Sequence, residues 1–258
     1  MLVAAALVPE TALLVPGAAG AATVLELERD ASLDAVRRLL AARPERVVVV
    51  TGAGQDRGGG GRGRGPAGSS AGSAPPQAAA APRGCAPTLA AAGIPDDLVG
   101  LAGDRRPDGP ESDVGTAVAL HLLGQAGWDG PVTVVRADGA AAAPLWGVGA
   151  DLAAGDGRVA LLLSGSLSAR RGPHGPLPDD ERAPGFDDAV VAALVDLAAP
   201  SAARLRAVPW GLAAELAVSA WGPWQVLLGA APERLHGTLH AAGAPFGATY
   251  AAISWVCE

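Results

Sequence analysis

Continuous apolar runs alternate along the chain with segments in which apolar residues recur every three or four positions. Residues 2–7, 46–51 and 158–164 are runs rich in Val, Leu and Ala, which are typical of strands buried on both faces of a sheet. Residues 23–42 carry apolar side chains at helical spacing with Glu and Arg between them, and Pro44 follows. We therefore predict an amphipathic helix between the first two strands.

Strand-like and helix-like segments keep alternating through the rest of the chain. We predict strands at residues 131–136, 237–241 and 247–256, and helices at 116–126, 145–154, 186–197, 209–220 and 223–230. Alternation of this kind is typical of the α/β class. The predicted fold is a single domain, residues 1–258, with a central, mostly parallel or mixed β-sheet flanked by helices.

One segment breaks the alternation. Residues 55–84 consist mainly of Gly, Ala, Pro, Ser and Arg and contain almost no large apolar side chain. Such a composition buries too little surface to offset the entropy lost on ordering. We predict a flexible insertion within the domain and expect a protease to cut there first.

The composition excludes several kinds of chemistry. All 19 basic residues are arginine, so the chain has no lysine for a P-loop, a Schiff base or a kinase-type phosphate clamp. The net charge of −7 argues against general nucleic-acid binding. Cys85 and Cys257 are too few for a zinc site or a disulfide framework.

The apolar N-terminus lacks the pattern of a targeting or membrane segment. No basic residue precedes Arg29, and Pro9, Glu10 and Pro16 interrupt the apolar run. A secretory signal has a basic start and an unbroken apolar centre, and a spanning helix needs about 20 apolar residues. We expect a cytoplasmic protein with no membrane partner.

Two motifs match known sites only in part. Residues 47–54 (VVVVTGAG) resemble the nucleotide-binding turn of short-chain dehydrogenases. In that family a helix follows the turn, but the glycines that follow here do not favour a helix. The family also uses a Tyr-x-x-x-Lys pair, and this chain contains no lysine. A nucleotide-dependent enzyme is therefore the third of our alternatives. His236 and His240 have the spacing of a helical zinc pair, but the surrounding pattern is that of a strand, which favours ordinary histidines.

Seven segments, in order, resemble the class III extradiol ring-cleavage dioxygenase family, in its B-subunit-like and Memo-like group. The family's motifs are Pro-His-Pro-Pro-hydrophobic-Val-Pro, Asp-His-Gly-Thr, Ser-Gly-Asp-Leu-Ser-His, Gly-Pro-Tyr-Gly, Phe-Asp, a Gly-Ala stretch and Phe-Gly-x-x-Tyr. The corresponding segments here are PETALLVP at 9–16, DVGT at 113–116, SGSLSA at 164–169, GPHG at 172–175, FD at 186–187, VLLGA at 226–230 and FGATY at 246–250.

The resemblance implies a fold and a chemistry. Members of this family hold Fe(II) with two histidines and one glutamate, leave open positions for a catechol and O2, and move protons with a further histidine. This ligand set suits non-haem iron because adjacent coordination positions stay free.

The positions that would carry this chemistry hold other residues. The resemblance places the two histidine ligands at Glu10 and near Ala53, two further histidines at Val114 and Ala169, and the glutamate at or near Val218. Glu215 would take the glutamate's place if the alignment were shifted by three residues. Ala and Val offer no lone pair to a metal.

The sequence therefore predicts a catalytically degenerate homologue that acts in binding or assembly, with no cofactor. We expect association with itself or with an active relative. The alternative is an active Fe(II) ring-cleavage dioxygenase of catecholic substrates with altered ligands. The candidate pocket residues are Glu10, Asp113, Ser166 and His174.

Overall fold

The structure is a computed structural model that describes residues 1–52, 77–80, 89, 92–94, 113–173, 175–231 and 235–257. Within these residues one mixed sheet has the strand order β3-β4-β2-β5-β1-β8-β7-β6. The central strands β4, β2, β5 and β1 run parallel to one another. The pairs β3–β4, β1–β8, β8–β7 and β7–β6 are antiparallel. The strands are β1 (Leu2–Val8), β2 (Arg46–Gly52), β3 (Gln77–Ala80), β4 (Val132–Ala137), β5 (Val159–Ser164), β6 (Asp196–Leu197), β7 (Leu235–Gly243) and β8 (Tyr250–Val256).

Helices cover both faces of this sheet. A first layer consists of α1 and α2, which pack against β1, β2, β5 and β8, and a second layer consists of α3 to α7. A short 3-10 helix, Ala12–Leu14, follows β1. The helices are α1 (Glu26–Ala41), α2 (Val114–Gln125), α3 (Ala142–Ala154), α4 (Ala183–Val195), α5 (Ala199–Arg206), α6 (Trp210–Glu215) and α7 (Trp221–Ala230).

The valine run of β2 shows why the central strands have no polar face. Val47 and Val49 belong to the apolar cluster under α1 and α2, whereas Val48 and Val50 belong to the cluster under α3 to α7. All four side chains are fully buried. Successive side chains of a strand point to opposite faces, so a strand with a helical layer on each face needs apolar residues at every position. The predicted α/β class with a mixed sheet flanked by helices is confirmed.

Several predicted boundaries are wrong, each for a tertiary reason. The helix predicted at 186–197 ends at Val195, because Asp196 and Leu197 pair with β7 as β6. The helix predicted at 209–220 ends at Glu215, and the backbone N–H of Ala220 instead donates to the carbonyl O of Ser166 at 3.0 Å.

One further boundary is wrong, and two elements were not predicted. The strand predicted at 247–256 begins at Tyr250, since Gly247 has a φ of +73° and belongs to a turn. Helix α5 was not predicted. Strand β3 falls inside the segment predicted as a flexible insertion and pairs antiparallel with β4; the rest of residues 55–84 lies outside the described residues.

Among the described residues, no helix has the length and apolar character needed to cross a bilayer.

Candidate functional site

The carboxyl ends of the parallel strands meet at one edge of the sheet. In open α/β sheets ligands bind outside this edge, so the polar residues there define the candidate site. Glu10 lies just beyond β1, Thr51 lies near the end of β2, and Ser164 ends β5. In the register of the sheet, Ser164 lies beside Val8 on one side and beside Thr51 on the other.

Glu10 is held against the loop that follows β5. The backbone N–H of Gly165 donates to the carbonyl O of Val8 at 3.0 Å, which extends the β1–β5 ladder by one bond. The backbone N–H of Glu10 then donates to the Ser166 hydroxyl at 3.1 Å. A side chain therefore replaces the next main-chain acceptor and fixes the position of Glu10 at the sheet edge.

The first turn of α2 closes over Glu10. Asp113 caps this helix by accepting hydrogen bonds from the Thr116 backbone N–H at 2.8 Å and from the Thr116 hydroxyl at 3.1 Å. Arg136 lies 3.5 Å from the same carboxylate. A Cβ on Gly115 would lie 3.1 Å from both the Glu10 Cγ and the Ser164 Oγ. Glycine at this position thus allows the helix to approach the strand ends closely.

Two hydroxyl groups are fully buried beneath this turn. Thr51 and Ser164 have no exposed surface, and within the described residues neither hydroxyl has a hydrogen-bond partner. Thr51 follows the four valines of β2 and is its last residue but one, and Ser164 follows the apolar run of β5 and ends that strand. A polar residue at the end of an apolar run is the sequence signal that could have identified them.

The turn between α6 and α7 packs on the same edge from the other layer. The Ser166 backbone N–H donates to the Ser219 hydroxyl at 2.9 Å. A Cβ on Gly165 would lie 2.5 Å from the Ala220 Cα, and a Cβ on Gly52 would overlap the Ser219 carbonyl O. Small residues at the strand ends therefore let this turn contact the sheet directly.

The structure brings together some of the positions named from the resemblance. Glu10, Ser166 and the Asp113–Val114 start of α2 surround one end of the sheet, and Val114 is half-buried there. Ala169 is buried in the first layer's cluster, with its N–H bonded to the Leu216 carbonyl O at 3.0 Å. Ala53 and His174 lie outside the described residues.

The proposed position of the glutamate ligand fits less well. The Val218 side chain is buried in the cluster of the second layer, on the sheet face opposite the one that carries Ala169. The neighbouring residue Ser219, which the sequence analysis missed, is the one that contacts Ser166. Val218 thus enters the apolar cluster of the second layer, whereas the hydroxyl of the next residue reaches the loop after β5.

The alternative ligand Glu215 lies on the surface. Its side chain is 61% exposed and pairs with Arg182 at 3.0 Å. Arg182 also binds Asp180 at 2.7 Å and lowers the pKa of that carboxyl group to about 2. Glu215 therefore belongs to an exposed ionic cluster, and the three-residue shift does not bring a carboxylate to the strand ends.

Three of the segments that carry the resemblance meet at one buried carboxylate. Asp187 is fully buried and accepts hydrogen bonds from the Ser168 backbone N–H at 3.0 Å and from the Ser168 hydroxyl at 2.6 Å. It also accepts one from the Thr249 hydroxyl at 2.5 Å. In addition, Gly175 and Gly247 are so close that a Cβ on Gly247 would overlap the Gly175 Cα. Segments far apart in sequence thus form one connected structure beside the sheet edge.

The donor groups that the described residues place at this edge do not fit an Fe(II) centre. Fe(II) of the family's type needs two imidazoles and a carboxylate, and the described residues here offer Glu10, hydroxyl groups and an Asp113 carboxylate that caps a helix. Across the described part of the chain, no three His, Cys, Asp or Glu side chains are grouped so that they could share a metal ion. Among the described residues the arrangement supplies hydroxyl groups, the Glu10 carboxylate and an Asp113 carboxylate that is engaged in capping α2.

The fold and this edge define a single-domain α/β protein with a mixed, helix-flanked sheet. The chain is similar to a solved structure described as the crystal structure of uncharacterized protein JW3007 from Escherichia coli K12, with a TM-score of 0.51 and 18% identity, covering 98% of this chain and 99% of that one. At this identity the similarity shows the fold alone. No protein-family model and no curated protein matches the chain.

Proposed function

We propose that the protein is a catalytically degenerate homologue of the class III extradiol dioxygenases that acts in cytoplasmic binding or assembly. The observation that carries the proposal is the set of residues at the positions of the family's iron site. Val114 and Ala169 stand where histidines are expected, and their side chains contribute to the apolar packing of the first layer. Neither can bind a metal or transfer a proton.

The neighbouring polar groups support the same proposal. Ser166 accepts a hydrogen bond from the Glu10 backbone N–H, and Ser219 accepts one from the Ser166 backbone N–H. These hydroxyls connect the loops at the strand ends to one another. We infer that these two hydroxyl groups hold the backbone in position, and this role requires no metal.

Anaerobic loading with Fe(II) tests the proposal. The purified chain is incubated with Fe(II) without oxygen, desalted, and assayed for bound iron. We expect far less than one iron per chain, because Glu10, hydroxyl groups and an Asp113 carboxylate already engaged in capping α2 bind Fe(II) weakly. One iron per chain that is retained after desalting and lost in Glu10→Ala would contradict the proposal and favour an active dioxygenase with altered ligands.

Restoring the ligands tests the alignment itself. One variant combines Glu10→His, Ala53→His, Ala169→His and Val218→Glu, and a matched variant carries Ser219→Glu in place of the change at Val218. If the site is ancestral, one of the two should retain iron while the wild type does not. We expect the Ser219→Glu variant to bind more iron, because Ser219 contacts Ser166 at the strand ends whereas Val218 lies in the apolar second layer. If neither variant gains iron relative to wild type, the family assignment of these positions is wrong.

A further inference from the structure

We draw no further inference here: the strongest candidate, the pair of buried Thr51 and Ser164 hydroxyl groups at the sheet edge under the first turn of α2, belongs to the site already described, and nothing in the described part of the chain shows what would bind there.

Discussion

A single buried carboxylate joins three distant parts of the chain. Asp187 lies in the first turns of α4 and binds Ser168, which follows β5, and Thr249, which precedes β8. All three residues are buried. A carboxylate that accepts three hydrogen bonds in the interior stabilises the fold because each donor would otherwise be buried without a partner.

The role of Asp187 can be tested by comparing its replacement with that of its exposed neighbour. Asp187→Ala leaves the Ser168 and Thr249 donors unsatisfied, at about 1–3 kcal/mol for each buried group. Its neighbour Asp188 is 73% exposed and lies 3.5 Å from Arg171, so Asp188→Ala should change the free energy of unfolding by less than about 0.5 kcal/mol. Urea denaturation of the two variants measures both. Equal losses would mean that the buried network contributes no more than a surface ion pair.

At the scale of whole elements, glycines determine how two helices of the second layer cross. A Cβ on Gly149 of α3 would overlap the carbonyl O of Val226 in α7, and a Cβ on Gly229 of α7 would overlap the carbonyl O of Trp146. The backbones are therefore in direct contact at the crossing. Trp146 completes the contact, since its indole N–H donates to the buried Gln225 side chain at 2.7 Å.

Two glycines of α3, two residues apart, should respond in opposite directions to the same change. Gly147 is exposed with nothing within 4 Å of an added Cβ, so Gly147→Ala should stabilise the protein by up to about 1 kcal/mol through helix propensity. Gly149→Ala forces the helices apart and should destabilise it by about 1–3 kcal/mol. Thermal unfolding followed by circular dichroism gives the comparison, and a stabilised Gly149→Ala would contradict the direct contact.

At the scale of the whole molecule, two histidines couple folding to pH. Burial lowers the pKa of His121 in α2, and the nearby Arg29 lowers it further. Arg29 stays close because it donates to the carbonyl groups of Leu13, Leu14 and Val24. Burial also lowers the pKa of His240 in β7, with Arg38 acting in the same direction and Asp34 opposing it.

The sign of this coupling determines the expected pH dependence. Because the folded state binds these protons more weakly than the unfolded state, the histidines' contribution is complete above 6.5, the ordinary histidine pKa, and is lost as the pH falls towards the lowered values. The pKa of Asp180 near 2 affects stability only below its ordinary value of 3.8. The free energy of unfolding at fixed protein concentration should therefore fall between pH 7.5 and pH 5.

A double variant, His121→Gln with His240→Gln, provides the control for this prediction. It should show a smaller decrease in stability than wild type over the same interval, because the two groups that gain protons on unfolding are absent. An unchanged decrease in urea titrations at the two pH values would assign the effect to other groups.

Much of the sheet could be predicted from the sequence, because a strand that is buried on both faces is a continuous run of apolar residues. A strand such as β2 must be apolar at every position when helices cover both faces, and that run is visible without any structure. Strand β6 and helix α5 have no such pattern in the sequence. Two residues of β6 become a strand only because β7 lies beside them, and nothing local favours that pairing.

The candidate site was predicted in part. Glu10 and Ser166 were named from their segments, and the structure joins them by a hydrogen bond across 156 residues. Ser219 was missed because its role depends on the turn between α6 and α7, where Ala217 adopts a φ of +57°. The helical spacing of apolar residues continues through this turn, so nothing in the sequence marks where the helix ends. The sequence therefore could not show that Ser219, and not Val218, reaches the strand ends.

The sequence by itself determined the α/β class, the central strands and the absence of any lysine side chain, because hydrophobic periodicity and residue type are local properties. Only the tertiary structure decided which polar groups share the sheet edge and which glycines allow backbones to touch. These features depend on contacts between residues distant in sequence, and the free energy of such contacts does not appear in any local pattern.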